Sequence, residues 1–338
     1  MATPRLQNAF DPKTYTRLVE KAVLDKSVLF NSTAISRNAE FDRLAGEAGL
    51  SVIMPYFDEL DGDAEVGSRD ASVAGAVGAL NMGDMIAQKD FLSKAWGVSK
   101  LDAQLSGVED VLSASAEKTA RYWLRQYEAL LVRKLKGIIA DSEANHEGDM
   151  VKNIYNDVAV GSLNEANFIN PGAVIDTMLT LGDNFDDIGL IVMPTVVYGN
   201  GLKNEADQFA APSSVSPFTT YRNKPVLVTD GLTSRAGSNA PEYTTYFLGT
   251  GAFGFGAKAG LGGENVIVTD ERAGRNMGAT DLITRQPGFI MHPTGYTSKA
   301  PIANADAGPV PASYENATSW TRVADRKAIK VAALKSNG

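Results

Sequence analysis

Between Ser115 and Ala140 the chain carries one long amphipathic run, and no other segment limits the possible folds as strongly. Ala120, Leu124, Tyr127, Leu131, Leu135 and Ile138 recur every three or four residues, the period that places side chains on one side of an α-helix. Trp123, Leu130 and Ile139 widen that stripe, and Trp123 and Tyr127 read as core anchors rather than base-stacking groups. Ser115 is placed to cap the first turn, Glu117 lies near its positive end, and Arg133, Lys134 and Lys136 crowd the negative end. Gly137 weakens the last part. At 1.5 Å per residue the run predicts a strut of roughly 39 Å, so its apolar side needs a broad partner.

The flanks of this strut differ. Ahead of it, LSVIMPYFDEL (50–60) is an apolar run interrupted by Pro55 and followed by the turn signal Asp61-Gly62-Asp63. The following stretch to Phe91 is rich in small residues, so an edge hairpin or a long excursion fits. Residues 91–113 read as short helical or turn elements. Residues 1–35 hold a short helical pattern at Tyr15, Leu18, Val19, Ala22 and Val23, compatible with a helix on its own subunit or an arm lying across a neighbour.

Behind the strut, DSEANHEGDM reads as a polar break. Asn170-Pro171 then starts a helix with Asn170 as cap, carrying Ala173, Val174, Thr177 and Met178 and ending near Gly182. Ile188–Val197 follows as a strand broken or edged by Pro194. Short strands are predicted at 219–221, 226–229, 243–248, 266–269 and 288–291, and residues 320–331 suit a closing strand or helix. PVLVTDG (225–231) echoes NVIVTDE (265–271), but two short matches do not make a solenoid. The pattern predicts an α+β chain, and 338 residues allow a large core divided between two lobes.

The candidate chemistry is weak in context. Gly249, Gly251 and Gly254 match the dinucleotide-binding pattern after a strand, with Asp270 about 20 residues on. That site needs a helix after the glycines to hold the pyrophosphate, and Gly256, Gly260, Gly262 and Gly263 oppose one. A strand connection is the expectation. His146 and His292 lack a neighbouring ligand pattern. Asp186, Asp187, Asp230, Asp270 and Glu271 could supply paired carboxylates only if folded together, and otherwise end strands in solvated turns. Asp61 and Asp63 fall short of a calcium loop. No cysteine is present, which excludes disulfides, thiol catalysis and thiolate-zinc sites. The expectation is a non-enzyme with no catalytic, cofactor-binding or metal-ligating residue.

The net charge of −8 argues against tight wrapping of nucleic acid. Arg121, Arg125, Arg133, Lys134 and Lys136 nevertheless give the strut a basic side: a solvated face, or a surface for an acidic neighbour or loosely held nucleic acid. The amino terminus lacks the apolar core of a signal peptide and no stretch approaches 18 apolar residues, so a soluble chain without membrane contact is expected.

The order of these elements resembles the tailed-phage major capsid proteins of the Hong Kong 97-like fold, over most of the chain. The resemblance rests on the helix EKTARYWLRQYEALLVRKLKGIIA, the excursion VIMPYFDELDG to ALNMGDMIAQKDF, IGLIVMPTVVYGNGLKNEA, and the late His-Pro-x-Gly-Tyr of PGFIMHPTGYTSK. It implies an N-terminal arm at 1–35, an extended loop region at 36–95, and a peripheral domain at 96–160 with the spine helix at 115–140. It further implies a central axial domain at 161–310 and a C-terminal segment at 311–338 returning to the peripheral domain. Such a protein would form hexamers and pentamers that close into an icosahedral shell around double-stranded viral DNA, assembled in the host cytoplasm as part of the virion. Implied partners are further copies of itself, a separate scaffold if any, a portal, a decoration protein, and weak nonspecific contact with packaged DNA. The founding member links a loop lysine to a neighbour's asparagine. Lys89 and Lys94 lie near the corresponding loop, but no matching Asn or Glu is evident, so a shell without crosslinks is expected. The alternatives are a Gly-rich α+β nucleotide-binding enzyme using GTGAFG and Asp270, and an accessory protein that binds a shell without forming it.

Overall fold

In the computed structural model the amphipathic run is a helix from Val111 to Asn145. The structure describes residues 27–57, 64, 66–67, 69, 75, 82–99, 111–204, 206–211, 219–229, 235–236, 239–257, 266–271, 279–302 and 308–338. Most of the expected N-terminal arm, the segment around Asp61 and Asp63, and Asp230 lie outside these residues.

The helix is longer at both ends than its apolar period predicts. Ser115 is therefore an interior residue and not the cap. The stretch after Ala140, read as a polar break, continues the helix because it holds no breaker before Glu147 and Gly148. These two adopt φ of 55° and 70°, and the Gly148 amide donates back to the Ser142 carbonyl at 2.9 Å. At 1.5 Å per residue the helix spans ~52 Å.

Two sheets pack against it. The five-stranded sheet is built on the strand Ala279–Pro293. Phe253–Ala257 pairs with one end of that strand, and Val266–Glu271 pairs with the other on one side while Asp90–Ser99 runs along the opposite side. Ile35–Arg37 adds in parallel to Phe253–Ala257. Residues 90–99, expected as short helical or turn elements, are thus a strand. Their helical propensity is overridden by pairing with the long central strand.

The eight-stranded sheet centres on Pro241–Gly249, flanked by Val331–Ser336 and Ile188–Met193, with Lys224–Val228 parallel to the latter. One face packs on the long helix through Leu190, Val192, Tyr246, Leu248, Val331 and Ala333. The other packs on Pro171–Leu179 and Thr195–Asn204 through Ala173, Val174, Val197, Phe247 and Leu334. Asn170 caps the first of these helices as expected, accepting from the Ala173 amide at 2.9 Å. The strand read as extending to Val197 stops at Met193. Pro194 cannot continue the ladder, and a helix begins at Thr195. The closing segment forms strands at Trp320–Arg322 and Val331–Ser336 rather than a helix. The two VTD echoes fall in different sheets and are no repeat. So do IGLIVM and GFIMHP, the first in the eight-stranded sheet and the second in the five-stranded one.

The glycine motif is a turn followed by a strand. Gly251 takes φ of 70°, and Phe253–Ala257 follows with no helix. A Cβ on Gly254 would lie 2.3 Å from the Phe41 ring, and one on Gly256 would lie 2.1 Å from the Phe41 carbonyl oxygen. These glycines let the helix Ala39–Gly46 lie directly on the strand, which explains a dinucleotide pattern with no dinucleotide site.

Candidate assembly surface and its buried anchor

Ser51–Phe57 and Met82–Gln88 form an antiparallel hairpin that is hydrogen-bonded into neither sheet and packs on Ile290 of the five-stranded one. Pro55 is tolerated because the hairpin has only two strands, so one edge of each strand is open. Alternation gives the hairpin two unlike faces. Val52 and Ala87 are buried with Leu44, Ala45 and Ile290, whereas Ile53 and Met82 are 60% and 66% exposed. Tyr56 donates to the Val323 carbonyl at 2.9 Å, and Gly83 leaves room for the Tyr56 ring.

The base of the hairpin is held by polar groups inside the core. Gln88 donates to the Ala300 carbonyl at 2.8 Å and accepts from the Ser298 hydroxyl at 2.7 Å. Lys89 is buried and donates to the Glu47 carbonyl. Asp90, where the hairpin passes into the sheet, accepts from Lys134 of the long helix at 2.6 Å and from the Tyr314 hydroxyl at 2.9 Å. Lys134 also donates to the Met291 carbonyl at 2.8 Å and lies 4.4 Å from the Tyr314 ring centre. Four segments therefore meet on one buried ion pair. Burial pulls the Lys134 pKa below its ordinary value, and the charge and hydrogen bond of Asp90 oppose that. Tyr314 is raised by burial and by the adjacent Asp90.

Lys134 was expected on the exposed basic end of the helix. The structure buries it because the C-terminal segment crosses the helix there. A Cβ on Gly137 would lie 1.9 Å from the Tyr314 carbonyl oxygen, and the Trp320 indole donates to that same oxygen at 2.8 Å. Trp123 and Tyr127 are buried as expected, and Trp123 donates to Thr284 at 3.1 Å. Arg121 and Arg125 are exposed, and Arg133 lies 3.4 Å from Glu315.

The remaining candidate groups do not converge. His292 is buried, its ring Nε2 meets the Tyr296 carbonyl at 2.6 Å, and burial pushes its pKa down to about 3. As a neutral ring it donates across the turn made by Gly295 at φ 86°, which is the role of the His-Pro-Thr-Gly-Tyr segment. His146 lies just past the end of the long helix, 3.7 Å from Asp141, beside an open cleft of about 600 Å³. Asp187 pairs with Lys330 at 2.7 Å at the surface, while Asp270 and Glu271 sit on a strand of the other sheet. Among the described residues no group of three or more His, Cys, Asp or Glu could hold a metal, and no helix is long and apolar enough to cross a membrane.

A long helix packed on two sheets, with a two-stranded hairpin outside both, matches the fold of solved phage capsid chains. The capsid of Ralstonia phage GP4 superposes with a TM-score of 0.58 at 13% identity, covering 90% of this chain and 87% of that one. A chain of the cyanophage Pam1 capsid asymmetric unit gives 0.53 at 10% identity, over 94% and 93%. In sequence the chain is 27% identical to the major capsid protein of Bacillus phage SPP1 over 99% of its length and 98% of that protein's. No family model matches. The chain has the Hong Kong 97-like capsid fold.

Proposed function

We propose that this chain is a major capsid protein whose copies associate as hexamers and pentamers and close into an icosahedral shell around double-stranded viral DNA. It acts as a structural, self-assembling subunit and not as an enzyme. The observation that carries this is the projecting hairpin. Its base is fixed by the buried Lys134–Asp90 pair, while Ile53 and Met82 on its outer face find no cover within the subunit. A rigidly based arm with uncovered apolar residues is suited to a neighbouring copy, and repeated contacts of that kind close into a shell when the rotation permits. The full-length similarity to the SPP1 protein supports the same reading.

On this reading the long helix and the five-stranded sheet form the peripheral domain, a division that differs from the axial domain expected at 161–310 by giving Phe253–Ala257, Val266–Glu271 and Ala279–Pro293 to the peripheral side. The eight-stranded sheet with helices Pro171–Leu179 and Thr195–Asn204 forms the axial domain, and the hairpin is the stem of the extended loop. Residues 311–322 lie against the helix and the final strand enters the axial sheet. A separate scaffold, a portal and decoration proteins are the expected partners, with assembly in the host cytoplasm. A shell without covalent crosslinks is the expectation: Lys89 is committed to the core, and Lys94, although exposed, has no matching Asn or Glu in the sequence.

Electron microscopy of the purified chain, alone and with a candidate scaffold protein, tests the assignment. Closed particles or hexameric capsomers are expected, and the same particles boiled in denaturant should run as a single monomer band. A monodisperse monomer under all assembly conditions would overturn the shell reading, and a ladder would overturn the absence of crosslinks.

A further inference from the structure

The half of the long helix ahead of Lys134 keeps one side uncovered, and that side is basic. Lys118, Arg121 and Arg125 are all exposed and fall within a narrow arc at 100° per residue. Arg133, half-buried beside Glu315, and Lys136, also half-buried, lie on the same side further along, and the exposed part of the row from Lys118 to Arg125 runs ~11 Å. Glu128 is the single acid between Lys118 and Lys136. Lys94 adds a further cation. It lies two residues before Trp96 on the same face of its strand, and the Trp96 ring meets Tyr122 of the helix edge-on at 5.0 Å.

We infer that the Lys118–Arg121–Arg125 row, flanked by Lys94, is the surface through which the subunit touches the phosphate backbone of double-stranded DNA. This deepens the shell reading and rests on it, because it assigns the face of the helix that looks toward the enclosed genome. Three features favour DNA over an acidic protein. The row is linear, as is the charge of a duplex, which carries one phosphate charge per ~1.7 Å of axis. Its aromatic neighbours Trp96 and Tyr122 are engaged with each other and leave no projecting anchor of the kind that centres a protein interface. The acid within it is muted, since burial raises the Glu128 pKa to about 7, and Glu117 stands at its edge, one turn before Arg121. The remaining acidic surface of a chain with net charge −8 repels DNA, which confines contact to this row and keeps it weak per subunit. Summed over a shell, weak contacts give a non-sequence-specific hold.

The test is the anisotropy of a labelled duplex of about 30 bp titrated with dissociated full-length subunits over roughly 20 to 150 mM salt. The wild-type protein is expected to bind with a log–log salt slope of about −3, one phosphate for each of three cations. The triple variant Lys118→Glu, Arg121→Glu, Arg125→Glu should lose at least about tenfold in affinity at the lowest salt and flatten the slope toward zero. Lys203→Glu, on the helix behind the eight-stranded sheet, should leave both unchanged. Should charge reversal prevent folding, the Lys118→Gln, Arg121→Gln, Arg125→Gln variant gives the same readout. Wild-type affinity and slope in the row variants, or wild-type binding with no salt dependence, would overturn the assignment. So would variants that bind DNA normally but no longer form capsomers, which would give the row to a neighbouring copy. Electron microscopy of the same samples separates the two claims. Assembled variants with undiminished DNA binding remove only the row, whereas a wild-type chain that never assembles removes the shell reading whatever its affinity for DNA.

Discussion

The two halves of the long helix share one backbone and live in different environments. From Leu130 to Ile139 almost every side chain is covered, including Lys134, and Gly137 is required because the chain at Tyr314 crosses there. From Lys118 to Ala129 only one side is covered, by Trp123, Tyr127 and their neighbours, and the other side carries exposed cations. The difference comes from the C-terminal segment, which wraps one half and leaves the other. One half is therefore a rigid anchor for the hairpin and the other is free to meet a partner. Charge has opposite consequences in the two: buried, it must be paired or it unfolds the subunit; exposed, it is cheap and available.

The largest effect should come from breaking the pair in the wrapped half. Lys134→Met leaves Asp90 charged and buried, with Tyr314 as its remaining side-chain donor among the described residues, and is expected to cost about 3–5 kcal/mol in urea unfolding of dissociated subunits. Removing both charges with Lys134→Met and Asp90→Leu should recover part of that loss, because no uncompensated charge remains. A double variant as unstable as the sum of the singles would mean that the two residues are not coupled and that the anchor lies elsewhere. Arg125→Ala, in the open half, should change stability by less than about 0.5 kcal/mol, which sharpens the contrast.

A smaller effect, dependent on pH, should come from His292, which faces Lys134 across the same core. Its folded pKa is depressed to about 3 from an ordinary 6.5, so between these values the unfolded chain binds the extra proton and stability rises with pH. The stability is fully present above about pH 6.5 and is lost as pH falls toward 3. His292→Gln should flatten this window, with about 2 kcal/mol less change between pH 4 and 7. An unaltered pH profile in thermal melts would show that His292 is already charged or solvated in the native subunit.

Much of this architecture was legible in the chain. The helix, its apolar side, the Asn170 cap and most strands follow from period and capping chemistry, which are local. The rejection of the glycine motif was also local, since a helix could not follow it. What escaped was set by distant contacts. Residues 90–99 form a strand because residues 279–293 lie beside them, and nothing within the segment announces that partner. Lys134 reads as one of three cations near a helix end, and its burial depends on Asp90 and Tyr314, which lie 44 and 180 positions away in the chain. Gly137 looked like a flaw in the helix and is the point where another segment touches it. The hairpin was legible as an edge excursion from Pro55, but its anchoring through Gln88, Lys89 and Asp90 had no sequence signal.

The smallest effect belongs to Glu128, on the margin between the covered and open sides of the unwrapped half. Burial raises its pKa to about 7 and Arg125 only partly opposes this, so the native subunit keeps the proton up to near neutrality while the unfolded chain releases it near 4.5. The native state therefore binds more protons between those values, and stability falls as pH rises through the window. Glu128→Gln removes the carboxylate that would otherwise have to ionise or stay protonated in a half-covered site. Because the group is half-buried and partly screened by solvent, the expected gain is about 1 kcal/mol at pH 8, shrinking to nothing near pH 4. Thermal melts of wild type and variant against pH read this directly, and parallel curves would show that Glu128 is fully solvated. The same substitution bears on the DNA row. It should raise duplex affinity at pH 8, where the wild-type carboxylate is charged, and leave it unchanged at pH 5.5, where wild type and variant are both neutral at this position.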